Sequence, residues 1–210
     1  MTTTDRRRPR ILLGVTGSVA AVKSPEIAVR LHRDLNADVR ILLTSGGDNF
    51  WNKAQDYDGT AWNEFRELSP PVRIYSPQEE WEGWDRLGDP VLHIDLRDWA
   101  DLVVIAPLSA HTLAKISNGL CDDTLSCVLR AWDLGYGTRP AKPLVLAPAM
   151  NTAMWIHPIT TQQLKTITDL SNQTTVVPPQ EKALACGEIG NGALAPVDII
   201  VQHVRQSLNH

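Results

Sequence analysis

One thiol, one imidazole and the small polar groups of three loops are the parts of this 210-residue chain suited to chemistry. Gly14-Val15-Thr16-Gly17-Ser18-Val19-Ala20 follows an apolar run, and its amides and hydroxyls suit a phosphate held at a helix N-terminus. The spacing is not the GxGxxG of dinucleotide folds. A second apolar run ends Leu42-Leu43-Thr44-Ser45, where an acid would be needed to hold an adenosine ribose, so a mononucleotide phosphate fits better than a dinucleotide. The same loop also suits a tight strand-to-helix turn that holds nothing. Ala106-Pro107-Leu108-Ser109-Ala110-His111-Thr112 brings two hydroxyls and an imidazole to a helix start, where capping is the commoner task of Ser109 and Thr112. In Ala147-Pro148-Ala149-Met150-Asn151-Thr152-Ala153-Met154-Trp155, an amide stands beside soft apolar surface, as recognition of a polar organic substrate near a flat ring requires.

His93 lies in the apolar stretch Pro90-Val91-Leu92-His93-Ile94, where a histidine is more often a satisfied core residue than a reactive one. Cys186 is followed by Gly187, Gly190 and Gly192, the composition of a flexible lid. Cys121 and Cys127 fall within helical spacing and are expected to be small core residues. Nothing in the sequence has the spacing of a metal site.

The elements that must position these groups are strands and helices in alternation. Strands are expected over 10–15, 38–44, 72–75, 101–106, 143–147 and 174–177. Several are continuously apolar, as strands covered on both faces must be. Helices are expected from Ser24-Pro25-Glu26 onward, with Ser24 as cap, and over 108–120, 122–132 and 197–208, the last packed by Ile199, Ile200 and Val204. The pattern predicts a three-layer α/β domain, an open parallel sheet with helices on both faces, whose ligands sit at the carboxyl ends of the strands. Residues 45–71 and 134–141 read as surface loop insertions, the first with room for a short helix, in a single domain spanning 1–210.

A hydrophobic content of 43% supports one sizeable core, and a net charge of −4 with intermixed signs offers no nucleic-acid-binding face. Residues 1–9, with the basic run Arg6 to Arg8, are expected to be disordered. No apolar stretch approaches the roughly 20 residues of a membrane span, and residues 1–15 lack the layout of a secretory signal. Three cysteines without a CxxC pair fit a reducing compartment, so a cytoplasmic protein is expected, with no membrane and no nucleic acid as partner.

Several motifs in fixed order carry a resemblance over most of the chain: GVTGSVAAVK at 14–23, Trp81 and Trp84, DPVLHIDL at 89–96, WADLVVIAPLSAHTLAK at 99–115, RAWD at 130–133, PAMNTAMW at 148–155 and ACGEIGNGA at 185–193. Together they resemble the homo-oligomeric flavin-containing cysteine decarboxylases, in particular the eukaryotic phosphopantothenoylcysteine decarboxylases. The resemblance implies a Rossmann-like, flavodoxin-like fold, a homotrimer with sites shared between protomers, and FMN as cofactor. FMN contacts are implied at Gly17, Ser18, Val19, Thr44, Ser45, Ser109, Ala110, His111, Thr112 and Ala149. Catalytic roles are implied for His93 and Cys186, and substrate contacts for Asn151, Met154, Leu184 and Ala185. The sequence departs from the family pattern at His111 and Asp123, where asparagine is usual, and at Glu188, where aspartate is usual.

The implied reaction converts 4'-phosphopantothenoylcysteine to 4'-phosphopantetheine in coenzyme A synthesis. Loss of carbon dioxide from a cysteine carboxylate would leave an unstabilised carbanion. Hydride removal from the carbon bearing sulfur gives a thioaldehyde that takes up those electrons, an enethiolate results, and proton donation by Cys186 with hydride return restores the aminothiol. His93 manages the substrate carboxylate, by proton transfer or by orienting it. Two other roles fit the same fold: a non-catalytic protein phosphatase regulatory subunit, and a flavoenzyme with another substrate. The complete catalytic set argues against the first.

Overall fold

The computed structural model describes residues 7–183 and 189–209. In chain order the elements are β1 (Arg10–Val15), a 3-10 turn (Val19–Lys23), α1 (Ser24–Asp34), β2 (Asp38–Leu43), α2 (Ser45–Trp51), α3 (Ala54–Tyr57), α4 (Gly59–Arg66), β3 (Arg73–Tyr75), α5 (Leu92–Trp99), β4 (Leu102–Leu108), α6 (Ala110–Ser117), α7 (Thr124–Arg130), β5 (Leu144–Pro148), α8 (Thr152–Trp155), α9 (Pro158–Leu170), β6 (Thr174–Val176), β7 (Gln180–Ala183), β8 (Ile189–Ala193) and α10 (Val197–Ser207).

Six strands form one parallel sheet in the order β3-β2-β1-β4-β5-β6. The central strands are buried but for Arg10 at the start of β1, which is why they read as apolar runs. Alternate residues feed two cores. Ile11, Leu13 and Val15 face α1 and α10 through Ile27, Leu31, Ile200 and Val204. Leu12, Val103 and Ile105 face the other layer through Leu96, Leu113, Leu125 and Ile167. The strand order reverses between β1 and β4, so the crevice outside their carboxyl ends is where such a sheet binds ligands.

Residues 45–71 are not a surface loop but hold α2, α3 and α4. Each helix has too few turns for an apolar stripe to show, and they are held by an edge-on cluster in which Trp51 lies 5.7 Å from Trp62 and 5.3 Å from Phe65. Residues 134–141 carry no helix or strand, as expected. Ser24 is not a cap: the 3-10 turn runs straight into α1, so Ser24 is already helical and its hydroxyl donates to the Ala106 carbonyl at 3.4 Å. Residues 7–9 are tied down as well. Arg7 donates to both oxygens of Asp101, at 2.7 and 3.0 Å, and Arg8 to the carbonyls of Asn36 and Ala37 at 3.1 Å.

The first turn of α2 presses on the end of β1, where a Cβ on Gly47 would stand 2.1 Å from the Val15 carbonyl oxygen. Gly47→Ala is therefore expected to cost about 2–3 kcal/mol, a fall in melting temperature of roughly 5–10 °C for a chain of this size. Thermal denaturation reads this, and a variant melting with the wild type would show that α2 can lift off the strand.

Candidate active site

Four loops at the carboxyl ends of β1, β4 and β5 and beside the β7–β8 hairpin enclose a cavity of about 620 Å³. Gly17, Ser18 and Val19 come from the first loop, Ser109, Ala110 and His111 from the second, and Ala149, Met150, Asn151 and Met154 from the third. Gly192 and Leu194 close the hairpin side, and Phe50 and Tyr57 the side of α2 and α3. Thr16 joins the first two loops. Its buried hydroxyl donates to the Pro107 carbonyl and accepts from the Ser109 amide, each at 2.7 Å, which fixes the crevice at the point of strand reversal.

Ser109 does both tasks open to it. Its oxygen caps α6 by accepting from the Thr112 amide at 3.2 Å, and it lines the cavity. Thr112 is buried behind it, outside the lining. Thr44 caps α2 through the Gly47 amide at 3.1 Å, and neither it nor exposed Ser45 lines the cavity. Asn151 caps α8, accepting from the Ala153 amide at 2.8 Å. Asp123 shows why aspartate serves where asparagine is usual. It caps α7 with a reciprocal bond to Ser126, a task either side chain performs, and its charge is answered by Lys115 at 2.8 Å. The same lysine, by hydrogen bonding, holds the Asp122 carboxyl below the usual range.

Leu184, Ala185, Cys186 and Glu188 lie outside the described residues. The flanking strands were not foreseen, and they change the reading of the glycines. Gly190 and Gly192 belong to β8, which packs on the third loop: a Cβ on Gly190 would stand 1.7 Å from Thr152 Oγ1, and one on Gly192 would stand 2.4 Å from the Met150 carbonyl oxygen. They serve close approach, which ties β8 to the loop that carries Asn151.

His93 does not line this cavity. It sits in the first turn of α5, its ring edge-on to Trp81 at 6.4 Å and its Nδ1 2.5 Å from Oε1 of buried Glu80. Cys121 is exposed in the turn after Gly119, which takes a φ of +71° where α6 has ended, and so is no core residue. Cys127 is half-buried on α7, its thiol pushed up to about 11 by burial and then by the charge of Glu80. Since folding favours this protonated thiol, its contribution to stability is intact below pH about 9 and lost as pH rises through about 11. An alkylating reagent near neutral pH is expected to modify Cys127 about tenfold or more slowly than Cys121. Peptide mapping reads the order, and equal rates would contradict it.

Sequence reasoning missed Lys23, which ends the small-residue run of the first loop and lines the cavity, and Glu80, whose burial no local pattern announces. Among the described lining residues stand one lysine and no carboxylate, so the cavity suits an anion.

The family model described as Flavoprotein matches residues 1–209. A phosphopantothenoylcysteine decarboxylase of Arabidopsis thaliana is 44% identical over 202 residues, which cover 96% of this chain and 86% of that one. The chain belongs to the flavoprotein family, among the phosphopantothenoylcysteine decarboxylases. A solved cysteine-to-serine mutant of PPC decarboxylase, complexed with pantothenoylaminoethenethiol, superposes with a TM-score of 0.82 at 42% identity, covering 97% of this chain and all of that one. The FMN binding protein AtHal3 superposes with a TM-score of 0.77 at 43% identity, over 95% and 96% of the two chains.

For a member of this family the cavity fits FMN. Lys23, Ser18 and the capped start of α6 offer charge and donors to a phosphate. Ala149, Met150 and Met154 offer apolar surface to a ring, and the volume lies within the range of cofactor sites.

Proposed function

We propose that this chain is the FMN-dependent decarboxylase that converts 4'-phosphopantothenoylcysteine to 4'-phosphopantetheine in coenzyme A synthesis. What carries the reading is similarity over nearly the whole chain to a decarboxylase structure holding an enethiol of the pantothenoyl series. FMN, when bound, supplies an acceptor and donor of hydride, the electron sink that loss of carbon dioxide from a cysteine end needs.

The chain's own residues do the rest. Gly17, Ser18, Val19, Ser109, Ala110, His111 and Ala149 hold the cofactor with Lys23, while Thr112 supports Ser109 from behind and Thr44 and Ser45 set the start of α2 against Gly17. Asn151 holds the polar end of the substrate, and Met154 packs beside it and keeps water out. Leu184 and Ala185 contribute to substrate binding, and Cys186 gives the proton that completes the aminothiol. His93 orients or protonates the substrate carboxylate.

Because His93 does not line its own chain's cavity, we assign it to a neighbour's in a homotrimer. Two exposed apolar patches support this. Trp81 stands edge-on to His93, with exposed Trp84 and Leu87 following it in the chain, and Met154 lines the cavity, with exposed Ile156 and Ile159 following it. Contact between two different patches is heterologous, and such contacts form a ring when the rotation between protomers closes, as in a trimer.

No helix among the described residues is long and apolar enough to cross a membrane. The free thiols of Cys121 and Cys127 fit a reducing compartment, and we place the protein in the cytoplasm. A regulatory role without catalysis is not favoured.

Turnover of 4'-phosphopantothenoylcysteine, set against a peptide ending in cysteine, tests the substrate assignment. The phosphorylated substrate is expected to win in kcat/KM by about 100-fold or more. Equal turnover of the two would move the chain to another substrate.

A further inference from the structure

Glu80 is a buried carboxylate, 8% accessible between half-buried Glu79 and exposed Trp81. A carboxylate leaves water only if something answers it. Its Oε1 meets His93 Nδ1 at 2.5 Å, and its Oε2 is buried with no hydrogen-bond partner among the described residues. The pairing with His93 is therefore what answers it. A carboxylate oxygen accepts, so Nδ1 is the nitrogen that donates to Glu80, and Nε2 is left outside that contact. Trp81 closes one edge of the ring, and α5 anchors its backbone through Leu96, which is fully buried.

Cys127 completes a group whose donor atoms all lie within 4.8 Å of one another, the spacing of a metal site. The geometry speaks against an ion: two ligands each about 2 Å from one metal stand farther apart than the 2.5 Å between Nδ1 and Oε1, which is a hydrogen-bond distance.

We infer that Glu80 is the positioning residue of His93, setting the ring's tautomer and direction so that Nε2 is the nitrogen presented to the substrate. The inference rests on the reading of His93 as a residue that acts at the substrate. Glu80 itself touches no reacting atom. Its effect should thus fall on turnover and not on cofactor retention.

The test uses the flavin-loaded protein labelled with heavy nitrogen in histidine, with His93→Asn to assign the signal. Wild type is expected to show His93 with its hydrogen on Nδ1. Glu80→Gln, nearly the same shape, is expected to lose that signature and to lower kcat about tenfold or more, with KM within about twofold and flavin content unchanged. Glu80→Asp, which keeps a carboxylate and lacks the NH2 that glutamine can turn to Nδ1, is expected to recover part of the loss.

Wild-type His93 protonated on Nε2 would overturn the inference without any variant, so a poorly folding Glu80→Gln leaves it testable. Full turnover in Glu80→Gln while His93→Asn is inactive would overturn it and spare the role of His93. Full turnover in both variants would remove that role and the inference with it. Zinc bound in one equivalent by wild type and lost in Glu80→Gln would replace the pair with a metal site.

Discussion

Cys186→Ser is expected to stop the reaction after carbon dioxide has left and before the aminothiol forms. The carbon–carbon bond breaks without help from the thiol, because the sink for its electrons lies in the cofactor and the substrate's own sulfur. Restoring the saturated product needs a proton delivered to carbon. A hydroxyl is far too weak an acid near neutral pH to replace a thiol there. Complete turnover should fall about 100-fold or more, while the species poorer by two hydrogens accumulates and the yellow colour fades in one burst. A solved relative in which a cysteine is replaced by serine, complexed with pantothenoylaminoethenethiol, is what such a block would give. Absorbance and mass spectra after one addition of substrate read the outcome. A serine variant as fast as wild type through complete turnover would remove Cys186 from the mechanism.

His93→Asn and Asn151→Ala, each expected to lose about 100-fold in turnover alone, should restore one another when unfolded together and refolded as mixed oligomers. His93 lies outside the cavity that Asn151 lines, and on the proposed assignment a complete site would take its histidine from one protomer and its asparagine from the next. In randomly mixed rings about a quarter of the sites then carry both, and activity should recover to roughly a quarter of wild type. If both residues served a site within one chain, every site would lack one of them. No recovery, with flavin bound and assembly intact, would therefore contradict the shared site. Flavin content should be normal in both parents, since neither residue is assigned to the cofactor.

What the sequence revealed of this fold follows from how local each signal is. The strands of the parallel sheet were legible because burial on both faces forces runs such as Leu102–Leu108, which need no partner to be recognised. The helices at 45–66 were not, because α2, α3 and α4 owe their existence to the Thr44 and Asp58 caps and to contacts among Trp51, Trp62 and Phe65. Gly190 and Gly192 looked like part of a flexible lid, yet what makes them glycines is Thr152 and the Met150 carbonyl, about 40 residues away in sequence.

The candidate site divides in the same way. Gly17, Ser18, Ser109, His111 and Asn151 stand at strand ends, where the pattern of the sheet alone directs attention. Lys23 could have been found as the one charge ending a small-residue loop. Glu80 could not. Its role depends on a fold that returns the chain to bury it under His93, and nothing between Ser76 and Asp89 has a period to show it. Cys121 was misplaced for a related reason: the helical spacing continues through 120, but Gly119 at positive φ has already turned the chain.

The most direct measurement is the mass of the product formed when flavin-loaded protein meets 4'-phosphopantothenoylcysteine. The account predicts a product lighter by one carbon dioxide and nothing else, 4'-phosphopantetheine, with the flavin as yellow after many turnovers as before the first. A product lighter by carbon dioxide and two hydrogens, or no conversion by a folded and flavin-bound protein, would contradict it.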